Sequence, residues 1–257
     1  MTMLLIDAGN SRLKWTWLRR GHLGRARAAP WNRAALAGVC RRIMAGAQQP
    51  AAVWVSSVAG AAVQRALCAA ARARGWPAPR FVHSAGHAAG VVNGYRQPAQ
   101  LGVDRWLALL AVRAAYPGDA ACIVSLGTAI TIDLLDAEGR HRGGVIAPGA
   151  ALMSASLRQG TALLRQRARA PSGRANALFA RDTRAAIGSG TRHAAAALVA
   201  EAFARAAERT GPTTRLILTG GAARELQTLL RRRRDLTPAV RVEDLVLRGL
   251  AVLAREK

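Results

Sequence analysis

The stretch MLLIDAGNSRLKWTW, residues 3–17, combines an apolar run, a polar turn and an alternating segment. Residues 3–6 are typical of a short buried strand, and residues 7–10 are typical of a turn. From Leu13 to Trp17 apolar and polar residues alternate, which is the period of two expected for a second strand. The sequence therefore predicts that the chain opens with a β-hairpin around a polar turn that contains Gly9.

A similar pattern starts again in the second half of the chain. Residues 121–126 resemble a buried strand, a turn follows at Gly127 and Thr128, and residues 130–135 resemble a second strand. Because both halves begin with strand, small polar turn and strand, we predict an α/β protein with a duplicated unit. The expected domains are residues 1–117 and 118–257. Two unrelated hairpins are the alternative that the pattern alone leaves open.

The charge of the chain is far from balanced, with 38 basic and 14 acidic residues and a formal net charge of +24. Such a field attracts phosphates, so nucleic acid is an obvious partner to consider. The arginines, however, are scattered through Ala-rich segments with a helical pattern, and no nucleic-acid-binding signature accompanies them. We therefore favour a solvated basic surface, which would also attract anionic substrates, over nucleic-acid binding.

Several features favour a cytoplasmic protein without a membrane partner. No stretch approaches the ~20 apolar residues of a membrane helix, and residues 1–10 lack the basic start of a signal peptide. Cys40, Cys68 and Cys122 are odd in number and widely spaced, with no CxxC pair. This usage favours free thiols in a reducing compartment over disulfides or a zinc site.

The turn after the first strand has the residue types of a phosphate-binding loop. Gly9 lets the backbone approach a ligand closely, and backbone N–H groups in such a turn can bind phosphate oxygens. Asp7 is a candidate ligand for Mg²⁺, which favours one or two carboxylates together with phosphate oxygens. An ordinary Asx-type hairpin turn is the alternative. Glycine-bearing turns at Gly127 and Gly220 would complete a nucleotide site in a cleft between the two domains.

Seven motifs support the interpretation as a nucleotide-binding protein, and together they span nearly the whole chain. They are DAGNS at 7–11, NGYRQPAQLGVDRW at 93–106, LGTAITID at 126–133, GGVIAPG at 143–149, DTRAAIGSG at 182–190, LTGGAA at 218–223 and DLVLRGL at 244–250. In this order they resemble the type III pantothenate kinases, members of the actin-like ATPase and sugar-kinase superfamily. The resemblance implies two ribonuclease-H-like domains and the ATP-dependent phosphorylation of pantothenate to 4'-phosphopantothenate, the first step of coenzyme A biosynthesis.

The resemblance also implies roles for individual residues. ATP phosphates would contact Asp7, Ala8, Gly9, Asn10, Ser11, Arg12, Leu13, Lys14 and Thr128. Pantothenate would contact Tyr95, Gly102, Val103, Asp104, Arg105 and Thr183. Asp104 would be the catalytic base and Arg105 would pair with the pantothenate carboxylate. Thr183 would reach pantothenate from the neighbouring subunit, which implies a homodimer.

Each of these residues also has a structural interpretation. Asp104 and Thr183 each precede a predicted helix and are consistent with a capping role. Arg105 is consistent with a surface position, and Tyr95 with an anchor of its loop. A regulatory protein that keeps the kinase fold and associates with nucleic acid is the alternative function, and another kinase or phosphatase of the superfamily is a third.

Ser125 departs from the pattern of the family, which has Asp at this position in a D-x-G-T turn. That carboxylate helps to bind a monovalent cation, and serine carries no charge. Three alternatives follow for K⁺ or NH4⁺: carbonyls and neighbouring groups hold the cation, the cation is dispensable, or activity is impaired.

Overall fold

The computed structural model describes residues 1–46, 48–160, 178–231 and 238–256. The strands are Thr2–Ala8 (β1), Arg12–Arg19 (β2), His22–Leu23 (β3), Arg27–Pro30 (β4), Ala52–Ser57 (β5), Arg80–Phe81 (β6), His87–Ala88 (β7), Val91–Val92 (β8), Ala121–Leu126 (β9), Ala129–Leu135 (β10), His141–Pro148 (β11), Arg215–Thr219 (β12) and Val240–Arg241 (β13). The α-helices are Leu36–Ile43 (α1), Ala61–Ala73 (α2), Val103–Ala115 (α3), Ala150–Gly160 (α4), Thr183–Thr210 (α5), Ala223–Leu230 (α6) and Leu245–Arg255 (α7).

The described chain forms two compact units. The first contains Met1–Gly118, Glu138–His141 and Asp244–Lys257, and the second contains Asp119–Ala137 and Arg142–Glu243. Residues 138–141 and helix α7 thus belong to the first unit, although the sequence assigned them to residues 118–257. The division into domains 1–117 and 118–257 stays a prediction, because a compact unit is not by itself shown to fold alone.

The sheet of the first unit is built on the predicted hairpin, which the structure confirms. Strand order is β3-β2-β1-β5-β6, with β4 paired to β2. Strands β1 and β2 are antiparallel, whereas β1 and β5 are parallel. Leu4, Ile6 and Ala8 alternate along β1 and pack into a core that α1 and α2 complete. Helices α3 and α7 cover the other face, where they contact β5.

The second unit repeats this plan. Its strand order is β11-β10-β9-β12-β13, in which β9 pairs antiparallel with β10 and parallel with β12. Helix α5 contributes Val199 and Phe203 to the core beneath the sheet. An antiparallel hairpin therefore opens both units, as the duplicated pattern predicts. In each unit the first strand of the hairpin also pairs with a parallel strand.

Membrane-spanning helices are not found in the described ranges, since none of the helices there combines the length and the apolar character needed to cross a bilayer. Cys40, Cys68 and Cys122 are all free thiols.

Candidate active site

The β1–β2 turn is tight, and Trp31, which lies outside the hairpin, donates a hydrogen bond to it. The backbone N–H of Gly9 donates to the carbonyl of Arg12 at 3.1 Å, and the indole Nε1 of Trp31 donates to the carbonyl of Gly9 at 2.9 Å. A Cβ atom at Gly9 would lie 3.3 Å from the same Arg12 carbonyl, so a side chain would crowd the turn. Asn10, Ser11 and Arg12 are exposed. Backbone and polar side chains of this turn are thus accessible to a ligand, while Ala8 and Leu13 are buried in the core.

Lys14 lies directly opposite Asp7 in the hairpin register. Its Nζ atom forms an ion pair at 3.0 Å with Oδ1 of Asp244, at the N-cap of α7. Asp244 adopts a left-handed backbone conformation (φ 56°), and its side chain does not cap the helix. Asp244 lies in the 244–250 motif, but the sequence alone gave it no role. Lys14 and Asp244 are separated by 230 positions, so no local pattern connects them.

The Asp104 and Asp244 carboxylates both act electrostatically on Asp7. Burial raises the pKa of the Asp7 carboxyl to about 7; the Lys14 ammonium lowers it, and the Asp104 and Asp244 carboxylates raise it further. The structure therefore brings Asp7, Lys14 and Asp104 into one electrostatic cluster in the first unit. A cation would relieve both the desolvation of Asp7 and the repulsion between the carboxylates.

This cluster fits Mg²⁺ better than a metal that needs a full set of protein ligands. Within the described ranges, no three His, Cys, Asp or Glu side chains come together as a self-sufficient metal site. Mg²⁺ is commonly held by one or two carboxylates, with phosphate oxygens and water supplying the remaining ligands. Asp7 is the carboxylate best placed for this role, because partial burial and two further carboxylates destabilise its charged form, which a cation would stabilise.

Helix α3 begins at Val103, with Gly102 as its N-cap and Asp104 in its first turn. The capping interpretation of Asp104 is therefore wrong. Asp104 Oδ1 accepts a hydrogen bond from the backbone N–H of Arg105 at 2.9 Å. A Cβ at Gly102 would lie 2.7 Å from the same oxygen, so a side chain there would displace the Asp104 carboxylate from its present position.

Arg105 is buried rather than exposed at the surface, with 4% of its area accessible. Its Nη1 donates to the phenol oxygen of Tyr95 at 2.7 Å, and its guanidinium lies 5.4 Å from the centre of the Tyr95 ring. The His141 ring stacks on the Tyr95 ring, with 5.7 Å between the ring centroids and 18° between the ring planes. Asn93 fixes the loop by accepting from the Tyr95 backbone N–H at 3.0 Å.

Sequence reasoning missed His141 and Asn93. His141 is 2% exposed and lies two positions before the 143–149 motif. The position of His141 next to a family motif was the available signal, but nothing in the sequence indicates that His141 contacts Tyr95.

Ser125, Thr128 and Thr183 lie in the second unit. Ser125 is near the end of β9, between Thr131 and Thr219 on the neighbouring strands. The carbonyl of Thr128 accepts from the backbone N–H of Gly149 at 2.9 Å, which fixes the second turn. Thr183 starts α5, but Asp182 is the N-cap and accepts from Ala185, so the capping interpretation of Thr183 is also wrong.

The third glycine-bearing turn closes against the second. Gly220 has a positive φ of 95°, and a Cβ atom there would overlap the backbone of Leu126. Turns with glycine thus follow β1, β9 and β12, at the strand ends where ligands bind in α/β sheets.

Comparison with solved structures identifies the class of fold. A ROK family glucokinase from Streptomyces griseus, solved in complex with glucose and AMPPNP, aligns over 100% of both chains with a TM-score of 0.56 and 12% identity. The chain has the α/β fold of the actin-like ATPases and sugar kinases, as expected.

Sequence comparison then identifies the family. A family model described as type III pantothenate kinase matches residues 3–205. The type III pantothenate kinase of Aromatoleum aromaticum is 40% identical over 99% of this chain and 98% of its own length. That of Halorhodospira halophila is 44% identical over 87% of this chain and 88% of its own. The chain belongs to the type III pantothenate kinase family.

Proposed function

We propose that this chain transfers the γ-phosphate of ATP to the primary hydroxyl of pantothenate, which yields 4'-phosphopantothenate and begins coenzyme A biosynthesis in the cytoplasm. One observation carries the proposal most directly. In a chain of this family, the Asp104 carboxylate lies within electrostatic reach of Asp7, which is in register with Lys14, and the residue after Asp104 is the buried Arg105. A candidate base, a candidate phosphate cluster and a candidate carboxylate receptor are thus contiguous within one unit.

Arg105 is proposed to hold the pantothenate carboxylate. A guanidinium presents paired N–H donors that match a carboxylate, and burial strengthens such a pair because water does not compete for it. The hydrogen bond to Tyr95 orients Arg105 before substrate binds. Backbone groups of Gly102 and Val103 would complete the pocket around the substrate.

Asp104 is proposed to orient the attacking hydroxyl and to accept its proton. Phosphoryl transfer passes through a loose transition state, so positioning and neutralisation of charge contribute most of the catalysis. Lys14 and the exposed turn residues Asn10, Ser11 and Arg12 would hold phosphate oxygens. Asp7 would hold Mg²⁺, which supplies neutralisation of the phosphate charge when bound.

A homodimer is the assembly that we propose. Leu152 and Leu157 on α4 and Ile146 on β11 are exposed apolar residues. A cavity of about 590 Å³ lies between α4 and α5 and includes Leu152 and Leu157 in its lining. Exposed apolar surface of this kind marks protein interfaces, and a second copy would cover it while placing Thr183 near a substrate. Light scattering should give the mass of a dimer for wild type and of a monomer for Leu152→Glu.

The test of function is an assay of ADP release from Mg·ATP with and without pantothenate. We expect release that depends on pantothenate and a product mass increased by one phosphate. Pantothenate-independent release, or none, would contradict the proposal. Other vitamins and sugars with a primary hydroxyl serve as controls, because a related kinase of the superfamily would prefer one of them.

The same assay addresses the monovalent cation when it is repeated in potassium, ammonium and sodium. Equal rates in all three would mean that Ser125 leaves no site that selects K⁺ or NH4⁺ over Na⁺. Stimulation by K⁺ or NH4⁺ would mean that carbonyls and neighbouring groups hold the ion without the aspartate.

A further inference from the structure

Two consecutive serines, Ser56 and Ser57, end strand β5 beside the β1–β2 turn, the candidate phosphate-binding turn. Ser56 is fully buried, and the hydroxyls of Ser56 and Ser57 are both enclosed without a hydrogen-bond partner among the described residues. Buried hydroxyls are nearly always hydrogen-bonded, because an unpaired one loses its interaction with water and gains nothing in return. The hydroxyl of the fully buried Ser56 in particular needs a specific explanation.

The register of the sheet separates the two serines. Ser56 lies beside Asp7, and Ser57 lies beside Ala8, in the parallel pairing of β5 with β1. Residues in register on adjacent strands share a face, and successive residues alternate between faces. Ala8 belongs to the core that α1 and α2 complete, so Ser57 faces that core. Ser56 shares the opposite face with Asp7.

The face of Ser56 is the face of the candidate active site. Asp7 points to this face, since it alternates with the core residues Ile6 and Ala8, and Asp104 and Asp244 act on it electrostatically. Helices α3 and α7, which carry these residues at their N-terminal ends, contact β5. The Ser56 hydroxyl is thus a buried polar group with unused hydrogen-bonding capacity, next to the carboxylate proposed to hold Mg²⁺.

We propose that Ser56 is a positioning residue of the magnesium–nucleotide site, where its hydroxyl hydrogen-bonds a water molecule of the hydrated cation held by Asp7. The inference rests on the proposed function, since it takes Asp7 as the magnesium ligand. Mg²⁺ gives up its water reluctantly and keeps several molecules in its protein sites, so donors and acceptors around the bound water select and orient the ion. A serine hydroxyl can both donate to and accept from such a water.

A purely structural role makes the opposite prediction. If serine is present only because a small residue fits between β5 and the covering helices, alanine fits equally well and ligand binding stays the same. If the hydroxyl contacts the hydrated cation, alanine removes an unsatisfied group from the metal-free protein and removes a partner from the complex. The metal-free protein then melts at the same or a higher temperature, while binding of the magnesium nucleotide weakens.

The experiment compares Ser56→Ala with Ser57→Ala, which deletes the neighbouring hydroxyl on the opposite face. Melting temperature is measured in EDTA, and the dissociation constant of ADP is measured by calorimetry with Mg²⁺ and with EDTA. We expect Ser56→Ala to weaken Mg·ADP binding about 10-fold, the lower end of the range for residues that orient metal ligands. Binding of ADP in EDTA should not change, and Ser57→Ala should bind Mg·ADP as the wild type does.

Equal Mg·ADP affinity in the wild type and Ser56→Ala would overturn the inference, as would an equal loss in Ser57→Ala. The pair Ser56→Thr and Ser56→Val gives a second comparison at matched shape, and only the threonine variant should retain the affinity. This pair decides the question if alanine disturbs the strand. Failure of the wild type to phosphorylate pantothenate would refute the proposed function, whereas the nucleotide affinities test Ser56 separately.

Discussion

Asp104 is the residue on which the proposed chemistry depends most. Because Gly102 caps α3 and leaves room for the carboxylate, Asp104→Asn should keep the helix while removing the proton acceptor. General-base catalysis contributes about 10²- to 10⁴-fold, so we expect turnover to fall by about 10²-fold or more. Steady-state kinetics measure the loss, and circular dichroism checks the fold. Near-wild-type turnover in the folded variant would remove Asp104 from the mechanism.

The raised pKa of Asp7 predicts that the stability of the metal-free protein depends on pH. The pKa of Asp7 is raised to about 7 in the folded state by burial, against an ordinary value of about 4 in the unfolded chain. The folded protein therefore binds the proton more tightly, and this stabilisation is fully present below about pH 4 and lost as the pH rises through 7.

The measurement is urea unfolding in EDTA from pH 5 to 8, for the wild type and Asp7→Asn. The free energy of unfolding of the wild type should decrease relative to the variant as the pH rises, because asparagine does not titrate. A difference between the two proteins that stays constant over this range would contradict the raised pKa.

At the scale of elements, the turn of residues 138–141 supports the candidate pantothenate pocket. The backbone N–H of Val92 donates to the carbonyl of Gly139 at 2.9 Å, and His141 stacks on Tyr95. Aromatic pairs contribute about 0.5–1.5 kcal/mol beyond the area that they bury, which corresponds to about 2- to 10-fold in affinity. His141→Ala should raise the KM for pantothenate by that factor and leave the KM for ATP unchanged.

His141→Phe is the control for this prediction, because it keeps an aromatic ring against Tyr95. Its KM for pantothenate should stay nearer the wild-type value. A rise in both KM values, or equal effects of alanine and phenylalanine, would show that the stack does not act through the pocket.

Helix α7 belongs to the first unit because it packs closely on α3. A Cβ atom at Gly249 would overlap the backbone of Leu107, so the two helices approach without a side chain between them. Gly249→Ala should lower the free energy of unfolding by about 1–3 kcal/mol, the usual cost of overpacking a core. Gly38 in α1 is exposed, and alanine there should instead stabilise by about 0.5–1 kcal/mol. Urea unfolding of both variants compares the two, and stabilisation by Gly249→Ala would contradict the close approach.

For the whole molecule, the net charge of +24 predicts weak binding to nucleic acid without selectivity. Binding through phosphate contacts weakens linearly on a log–log scale as salt increases. We expect two unrelated DNA duplexes to bind equally at about 50 mM salt and to be released by about 200 mM salt. Fluorescence anisotropy measures this. Tight binding to one sequence at physiological salt would instead support the nucleic-acid-associated regulator, which the family assignment does not favour.

Much of the fold follows from patterns only a few residues long. The alternation in residues 13–17 predicts β2, and the repeated order of strand, turn and strand predicts that the two units share a plan. The three glycine-bearing turns were also expected at strand ends. These features are predictable because the spacing of apolar side chains and the freedom of glycine act within a single element.

The grouping of the candidate site depended instead on how elements pack. The ion pair of Lys14 with Asp244, the stack of His141 on Tyr95 and the position of Ser56 beside Asp7 join residues far apart in the chain. Local periodicity does not predict such partners, because the packing of the helices and strands against one another determines which distant residues meet. The close contact of α7 with α3 brings Asp244 to Lys14, and the parallel pairing of β5 with β1 brings Ser56 to Asp7.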